Sequence, residues 1–189
     1  MVEINGEKIL FDTGANGLVL LQNMDILNID PLSINTIFIS HNHFDHIGGL
    51  SEFLNINNRV TIYSPPSLRG IRNAKKIIYL DKPTQISMDI FSTGELEGIE
   101  QSMIVKTTKG LIIIEGCSHP NMKKILKATH QFGEIYGIIG GLHDFNQFDL
   151  FKDFKLICAT HCTRHKSEIK SRFPHQYIEG GVGRIIEVN

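Results

Sequence analysis

The chain has 189 residues, 41% of them hydrophobic and 21% charged, with a formal net charge of -1. That length suits a single domain able to bury about 70% of its unfolded surface, and so ordinary a composition excludes wholesale disorder. With no overall basic field to hold a polyanion through its phosphates, nucleic acid is not an expected partner.

The opening Met1 to Lys8 has neither the basic start nor the long apolar core of a signal peptide, and no apolar run reaches the ~18 residues of a membrane span. A cytoplasmic protein with no membrane partner is expected. Gly6 predicts a hairpin turn between Val2 to Ile4 and the apolar run Lys8 to Phe11, which stops at Asp12-Thr13-Gly14. Leu18 to Leu27 has near-helical apolar spacing, and Thr36 to Ile39 is a buried strand that delivers the chain into His41. Gly48-Gly49 follows, then a short helix on Leu50, Phe53 and Leu54.

Arg59 to Tyr63, Lys76 to Leu80, Gln85 to Phe91 and Ser102 to Thr107 read as strands, being short β-branched or aromatic runs divided by Pro, Gly or Asp. A tight turn at Thr107 to Gly110 leads into the buried strand Leu111 to Ile114, and Pro120 opens a helix through about Gln131. Lys123, Lys124 and Lys127 on that helix read as a solvated face. Ile135 to Ile139 and Lys155 to Cys158 are further buried strands. A polar helix near Arg164 to Arg172, a hairpin turn at Gly180 to Gly183 and a last strand, Arg184 to Val188, complete the chain. No repeat or linker marks a boundary, so a single domain over 1–189 of layered α/β class is expected.

Five apolar strands each end in a residue able to bind or orient a metal: Asp12, His41, His119, His143 and His161. Strand ends on one sheet edge gather side chains that are distant in sequence. The run His41-Asn42-His43-Phe44-Asp45-His46 is densest in such donors. In an extended chain residues 41, 43 and 45 share a side; His41 and His43 fit one ion, while Asp45 and His46 can diverge toward a second. The glycines at 48 and 49 would let the backbone turn away without a Cβ clash. Imidazole and carboxylate together favour zinc, with iron or manganese as alternatives.

On His41-x-His43-x-Asp45-His46 after its buried strand, and on Phe11-Asp12-Thr13-Gly14, the sequence resembles the metallo-β-lactamase superfamily. Gly116-Cys117-Ser118-His119, Gly140-Gly141-Leu142-His143 and His161-Cys162-Thr163 resemble, within it, a microbial branch often named after a dihydropterin ribofuranosylaminobenzene 5'-phosphate synthase. The resemblance covers roughly residues 7 to 165 and implies a four-layer αββα sandwich, here shortened at the N-terminus. It also implies that His41, His43 and His119 hold one ion and Asp45, His46 and His161 a second, with Asp12 fixing ligand orientation and His143 serving substrate contact or proton transfer. The sequence departs from the superfamily in lacking its bridging Asp, in carrying Arg164 after His-Cys-Thr, where it could meet an anionic small-molecule substrate, and in lacking a leading strand before Lys8. The last point leaves a sheet edge open or covered by a partner, with a homodimer as one solution.

The activity expected from these residues is metal-dependent hydrolysis of an ester, phosphoester, lactone or thioester. A divalent ion lowers the pKa of bound water from about 15.7 to about 7, and Asp45 or His143 would manage the proton. The alternatives are a synthase or transferase acting on a pterin-like or ribosyl phosphate substrate, a di-iron oxidoreductase, and a non-catalytic metal-binding protein. Cys117, Cys158 and Cys162, an odd number without a Cys-x-x-Cys pair, read as reduced, mostly buried fillers. His130, His165 and His175 read as surface histidines.

Overall fold

The computed structural model describes residues 1–188. The chain divides into two compact units, Met1–Asp81 and the remainder from Lys82 onward. Each is built on its own sheet.

In the first unit β1 (Val2–Ile4) and β2 (Glu7–Phe11) form the hairpin, followed by α1 (Gly17–Ile26), β3 (Thr36–Phe38), α2 (Phe44–Ile47), α3 (Leu50–Ile56), β4 (Thr61–Ser64) and β5 (Lys76–Tyr79). The strands lie in the order β1-β2-β3-β4-β5. Only the β1–β2 pair is antiparallel; the other pairs are parallel, with helices crossing over from β2 to β3 and from β3 to β4 and a loop joining β4 to β5. The core joins Leu10, Ile37 and Ile62 of the sheet to Met24, Phe53 and Leu54 of the helices. Asn16 caps α1 by accepting from the amides of Leu18 and Val19.

The second unit starts with an antiparallel meander, β6 (Thr84–Ser87), β7 (Ile90–Ser92), β8 (Met103–Thr107) and β9 (Gly110–Glu115), then continues through α4 (Met122–Thr129), β10 (Ile135–Gly141), β11 (Leu156–Thr160) and α5 (Lys166–Arg172). The order is β11-β10-β9-β8-β7-β6, with β9, β10 and β11 parallel. Ile113, Ile138 and Ile157 form a row across these three strands and pack with Ile125 and Ile169 of the two helices.

Several elements differ from the sequence reading. Gln85 to Phe91 is a hairpin, β6 and β7, rather than one strand; Met88 sits at the turn with 79% exposure, and Gln85 Nε2 donates to the carbonyls of Ser87 and Met88. Arg184 to Val188 forms no strand, because the free edge of β11 is taken by residues 176–178: Ile157 N donates to Gln176 O and Ile178 N to Ile157 O. Gly181 to Arg184 is still a turn, closed by Arg184 N on Gly181 O, but no strand follows to make a hairpin. The helix placed at Pro120 begins two residues later, capped by Asn121 accepting from Lys123 N. Lys123, Lys124 and Lys127 are exposed on it as expected, with Lys124 on Glu97 at 2.8 Å. Among the described residues no helix is long and apolar enough to cross a membrane.

Close packing of β9, β10 and β11 depends on glycine. A Cβ on Gly140 (φ +135) would lie 2.1 Å from Glu115 O. Gly140→Ala is therefore expected to cost about 3 kcal/mol through combined clash and strain. Chemical denaturation checks it; a loss under about 1 kcal/mol would mean that the strands can slide apart cheaply.

Candidate metal centre

Parallel strands end on the same side of their sheet, and in each unit that edge carries the histidines. In the first unit Phe11 pairs with Phe38, so the exits of β2 and β3 lie side by side. Asp12, the first residue past β2, takes a left-handed φ of 55°. Such a conformation is uncommon outside glycine and costs energy, which tertiary contacts must repay. Its Oδ1 accepts from Ser40 N at 2.7 Å, and its Oδ2 accepts from Ser40 Oγ at 2.7 Å and stands 2.6 Å from His46 Nδ1. Burial raises the Asp12 carboxyl pKa, and the hydrogen bond and charge of His46 and then the Ser40 donors offset this only in part. Thr13 completes the clamp, since its amide and hydroxyl both donate to His46 O, at 2.8 and 3.0 Å.

The run from His41 to His46 is not extended throughout. His41 and His43 are on extended backbone, but α2 starts at Phe44 and puts Asp45 and His46 on a helical turn. Two pairs of donor atoms result: His41 Nε2 lies 3.0 Å from His43 Nδ1, and His46 Nε2 lies 3.5 Å from Asp45 Oδ2. Tetrahedral zinc with nitrogens at 2.0–2.1 Å separates its ligand atoms by roughly 3.4 Å. Both spacings fit. Ser40 Oγ, which donates to Asp12, accepts from His41 Nδ1 at 2.9 Å; this assigns the tautomer that offers Nε2, and Asp12 on His46 Nδ1 does the same there. His41 and His46 are buried, whereas His43 and Asp45 are exposed. Gly48 and Gly49 matter for approach rather than for turning: a Cβ there would lie 2.4 Å from Ala15 O and Thr13 O respectively.

In the second unit β9, β10 and β11 lead to His119, His143 and His161. Ser118, His143 and His161 all have left-handed φ, at 59°, 42° and 47°. Glu100, a residue sequence reading missed, organises the loop after β9. Its carboxylate accepts from Cys117 N (2.7 Å), Ser118 N (3.2 Å) and His119 N (2.9 Å), and Oε2 lies 2.8 Å from His119 Nδ1. So Glu100 presents His119 Nε2 as Asp12 presents that of His46. Glu95, Glu97 and Glu100 cluster in a stretch that reads as a solvated acidic loop, so nothing in the sequence signals that Glu100 alone is buried, at 1% exposure.

His143 Nδ1 lies 3.0 Å from Asp144 Oδ2, and Arg164 Nη1 lies 2.9 Å from Asp144 Oδ1. The cation that sequence left open to an anion therefore already has a carboxylate partner. Thr163 Oγ1 accepts from Leu142 N and donates to Thr160 O, tying the ends of β10 and β11 together. The His119 and His143 rings are 5.2 Å apart and border a pocket of about 330 Å³ that also reaches Asn146 and Gln147. His161 groups with Cys117 and Cys162, their donor atoms all within 4.8 Å of one another. His130 and His175 are exposed; His165 is half-buried and bonds Glu168 at 2.9 Å.

Glu115, at the end of β9, is 3% exposed, and among the described residues neither carboxyl oxygen has a well-formed hydrogen bond. Burial, then the charge of Glu100, push its pKa well up, which the Ser102 and Ser118 hydroxyls offset only in part. A raised folded pKa gives stability that is complete below the unfolded value and is lost as pH rises through the folded one. Glu115→Gln is thus expected to be about 1 kcal/mol or more better folded than the native chain at about pH 8, with the gap closing near pH 4. Melting curves at the two pH values test it; a gap independent of pH would mean that Glu115 does not titrate in the folded state.

The Lactamase_B family model, described as Metallo-beta-lactamase superfamily, matches residues 1–127. A 7,8-dihydropterin-6-methyl-4-(beta-D-ribofuranosyl)-aminobenzene-5'-phosphate synthase of Methanocaldococcus jannaschii is 29% identical, over 98% of this chain and 87% of that protein. A ribonuclease Z of Methanococcus aeolicus is 39% identical, but over 41% of this chain and 26% of its own length. Among solved structures Tm1679, a metal-dependent hydrolase of the β-lactamase superfamily, superposes with a TM-score of 0.78 at 23% identity, covering 98% of this chain and 95% of that one. These comparisons correct the expectation of hydrolysis, because a relative aligned along nearly the whole chain is a synthase and favours the alternative reading. The mixed α/β architecture of two sheets, the fold shared with Tm1679 and the family match over most of the chain lead to one assignment: the chain belongs to the metallo-β-lactamase superfamily, a group of enzymes that generally bind divalent metal ions.

Proposed function

We propose that this protein is a metal-dependent synthase acting on a pterin-like or ribosyl phosphate substrate. The observation that carries this reading is the 29% identity, over 98% of the chain, to the archaeal synthase. Within the first unit His41, His43, Asp45 and His46 would offer donors to divalent ions, and within the second His119 and His161 would do so, with zinc the ion best suited to this imidazole-rich set. When bound, such ions supply Lewis acidity toward phosphate and leaving-group oxygens.

The chain's own groups prepare and line the site. Asp12 and Glu100 hold the rings of His46 and His119 through Nδ1, so that Nε2 faces the ion position. His143, exposed enough to meet substrate and braced by Asp144, contacts the substrate or moves its proton. Asn146 and Gln147 offer paired amide donors and acceptors suited to a pterin ring. A phosphate entering beside Asp144 would compete with that carboxylate for Arg164.

The reaction to be sought joins the nitrogen of an aminobenzene to the 6-methyl carbon of a dihydropterin. The C–N bond forms as the bond to a leaving group on that carbon breaks, and the nitrogen gives up a proton. The test is to incubate the zinc-loaded protein with 4-(β-D-ribofuranosyl)aminobenzene 5'-phosphate and a dihydropterin carrying such a leaving group, then to read the joined product by mass spectrometry. Appearance of product that is lost on chelation supports the reading. Metal-loaded protein that binds neither compound and forms no product sinks it.

A further inference from the structure

The second unit gathers two thiol sulfurs, which the proposed ligands do not include, beside the imidazole of His161, which they do. Cys117 Sγ, Cys162 Sγ and a ring nitrogen of His161 lie within 4.8 Å of one another. Cys117 follows β9 and is 4% exposed; Cys162 and His161 follow β11 and are half-buried and exposed. We propose that these residues form a sulfur-rich cation site that takes a borderline or soft divalent ion through two thiolates and one imidazole.

A buried cysteine is by default a small apolar filler, and Cys158 is one: it lies within β11, outside the donor group, and burial pushes its thiol pKa up. Cys117 and Cys162 are placed differently. They come from separate strands and converge on an imidazole whose own residue is held in a left-handed conformation. Room for the convergence is made at Gly141, where a Cβ would stand 2.9 Å from Cys162 Sγ, 3.2 Å from Cys117 Cα and 2.3 Å from Gly116 O. The loop holding Cys117 is fixed from behind by Glu100 on its amide, at 2.7 Å, and by Ser118 Oγ donating to Gly141 O at 2.8 Å. These supports pre-position the sulfur, which is what a metal ligand requires.

The proposal rests on the metal reading above in one respect: His161 is a donor in both. The thiolates supply negative charge in a unit that lacks the superfamily's bridging Asp. Binding displaces two thiol protons to solvent and involves no redox change. Two thiolates and an imidazole select zinc, cobalt or cadmium over magnesium, calcium or manganese.

The experiment is a Co²⁺ titration of the full-length, metal-stripped protein, followed by absorption. A thiolate-to-cobalt charge-transfer band is expected in the near ultraviolet beside the visible ligand-field bands. Cys117→Ser and Cys162→Ser should each remove about half of it and the double variant all of it, while Cys158→Ala keeps it. Because a serine variant can fail to fold, cadmium NMR of the unmutated protein gives a second reading, a resonance moved downfield by bound sulfur. Cobalt uptake with ligand-field bands but no sulfur band overturns this site and leaves the histidine centre standing. No cobalt uptake at all overturns both.

Discussion

Glu100→Ala is expected to destabilise the protein by about 3 kcal/mol and to weaken divalent-metal binding by roughly 10–100-fold. The substitution removes the acceptor of the Cys117, Ser118 and His119 amides and the partner of His119 Nδ1 at one stroke. Each buried polar group left without a partner costs about 1–3 kcal/mol, and water entering the space would recover only part of that sum. Glu100→Gln separates the two effects. Its amide oxygen can still accept from Cys117 N and Ser118 N, so most of the stability should return. Its NH2 group would face His119 Nδ1, however, disfavouring the tautomer that offers Nε2. Thermal melts and calorimetric zinc titrations of both variants make the test. An alanine variant within about 0.5 kcal/mol of the native chain, with unchanged zinc affinity, would remove Glu100 from any organising role.

His43→Ala should show the opposite balance. His43 is exposed, and its ring nitrogen stands 3.0 Å from His41 Nε2 at the mouth of the first donor set. Folding should change by less than about 0.5 kcal/mol, as for other surface substitutions. Metal affinity should fall by more than about a hundredfold, since loss of a ligand exceeds the 10–100-fold typical of outer partners, and product formation should fall with it. Elemental analysis after gel filtration, beside the joining assay, reads both quantities. Metal content and turnover equal to the native protein's would exclude His43 as a ligand.

The contrast between Glu100 and His43 follows how each could be recognised. His43 stands in a local pattern, His-x-His-x-Asp-His after an apolar strand, and a ligand run of this kind is legible because its chemistry is contiguous. Asp12 was legible for a related reason, as the polar stop of β2. Glu100 lies seventeen to nineteen residues before the amides it binds and among other acids, so only the folded chain distinguishes it. The Gln85 to Phe91 segment shows the same limit in the fold. Its turn at Met88 is flanked by Ser87 and Asp89 but carries no glycine or proline, and that weaker signal is outweighed by the strand-like Gln85, Ile86, Ile90 and Phe91 around it.

Periodicity and strand-end chemistry by themselves determined the α/β class, nearly every strand, and the candidacy of His41, His43, Asp45 and His46 as metal ligands, because these depend on neighbours within a few residues. The tertiary structure decided what depends on long-range registry. It turned Asp45 and His46 onto a helical turn, denied Arg184 to Val188 a sheet edge, gave Arg164 to Asp144, and set Glu100 behind His119. Those outcomes rest on which parallel strands pair and how closely their ends approach, and a one-dimensional pattern does not encode that distance.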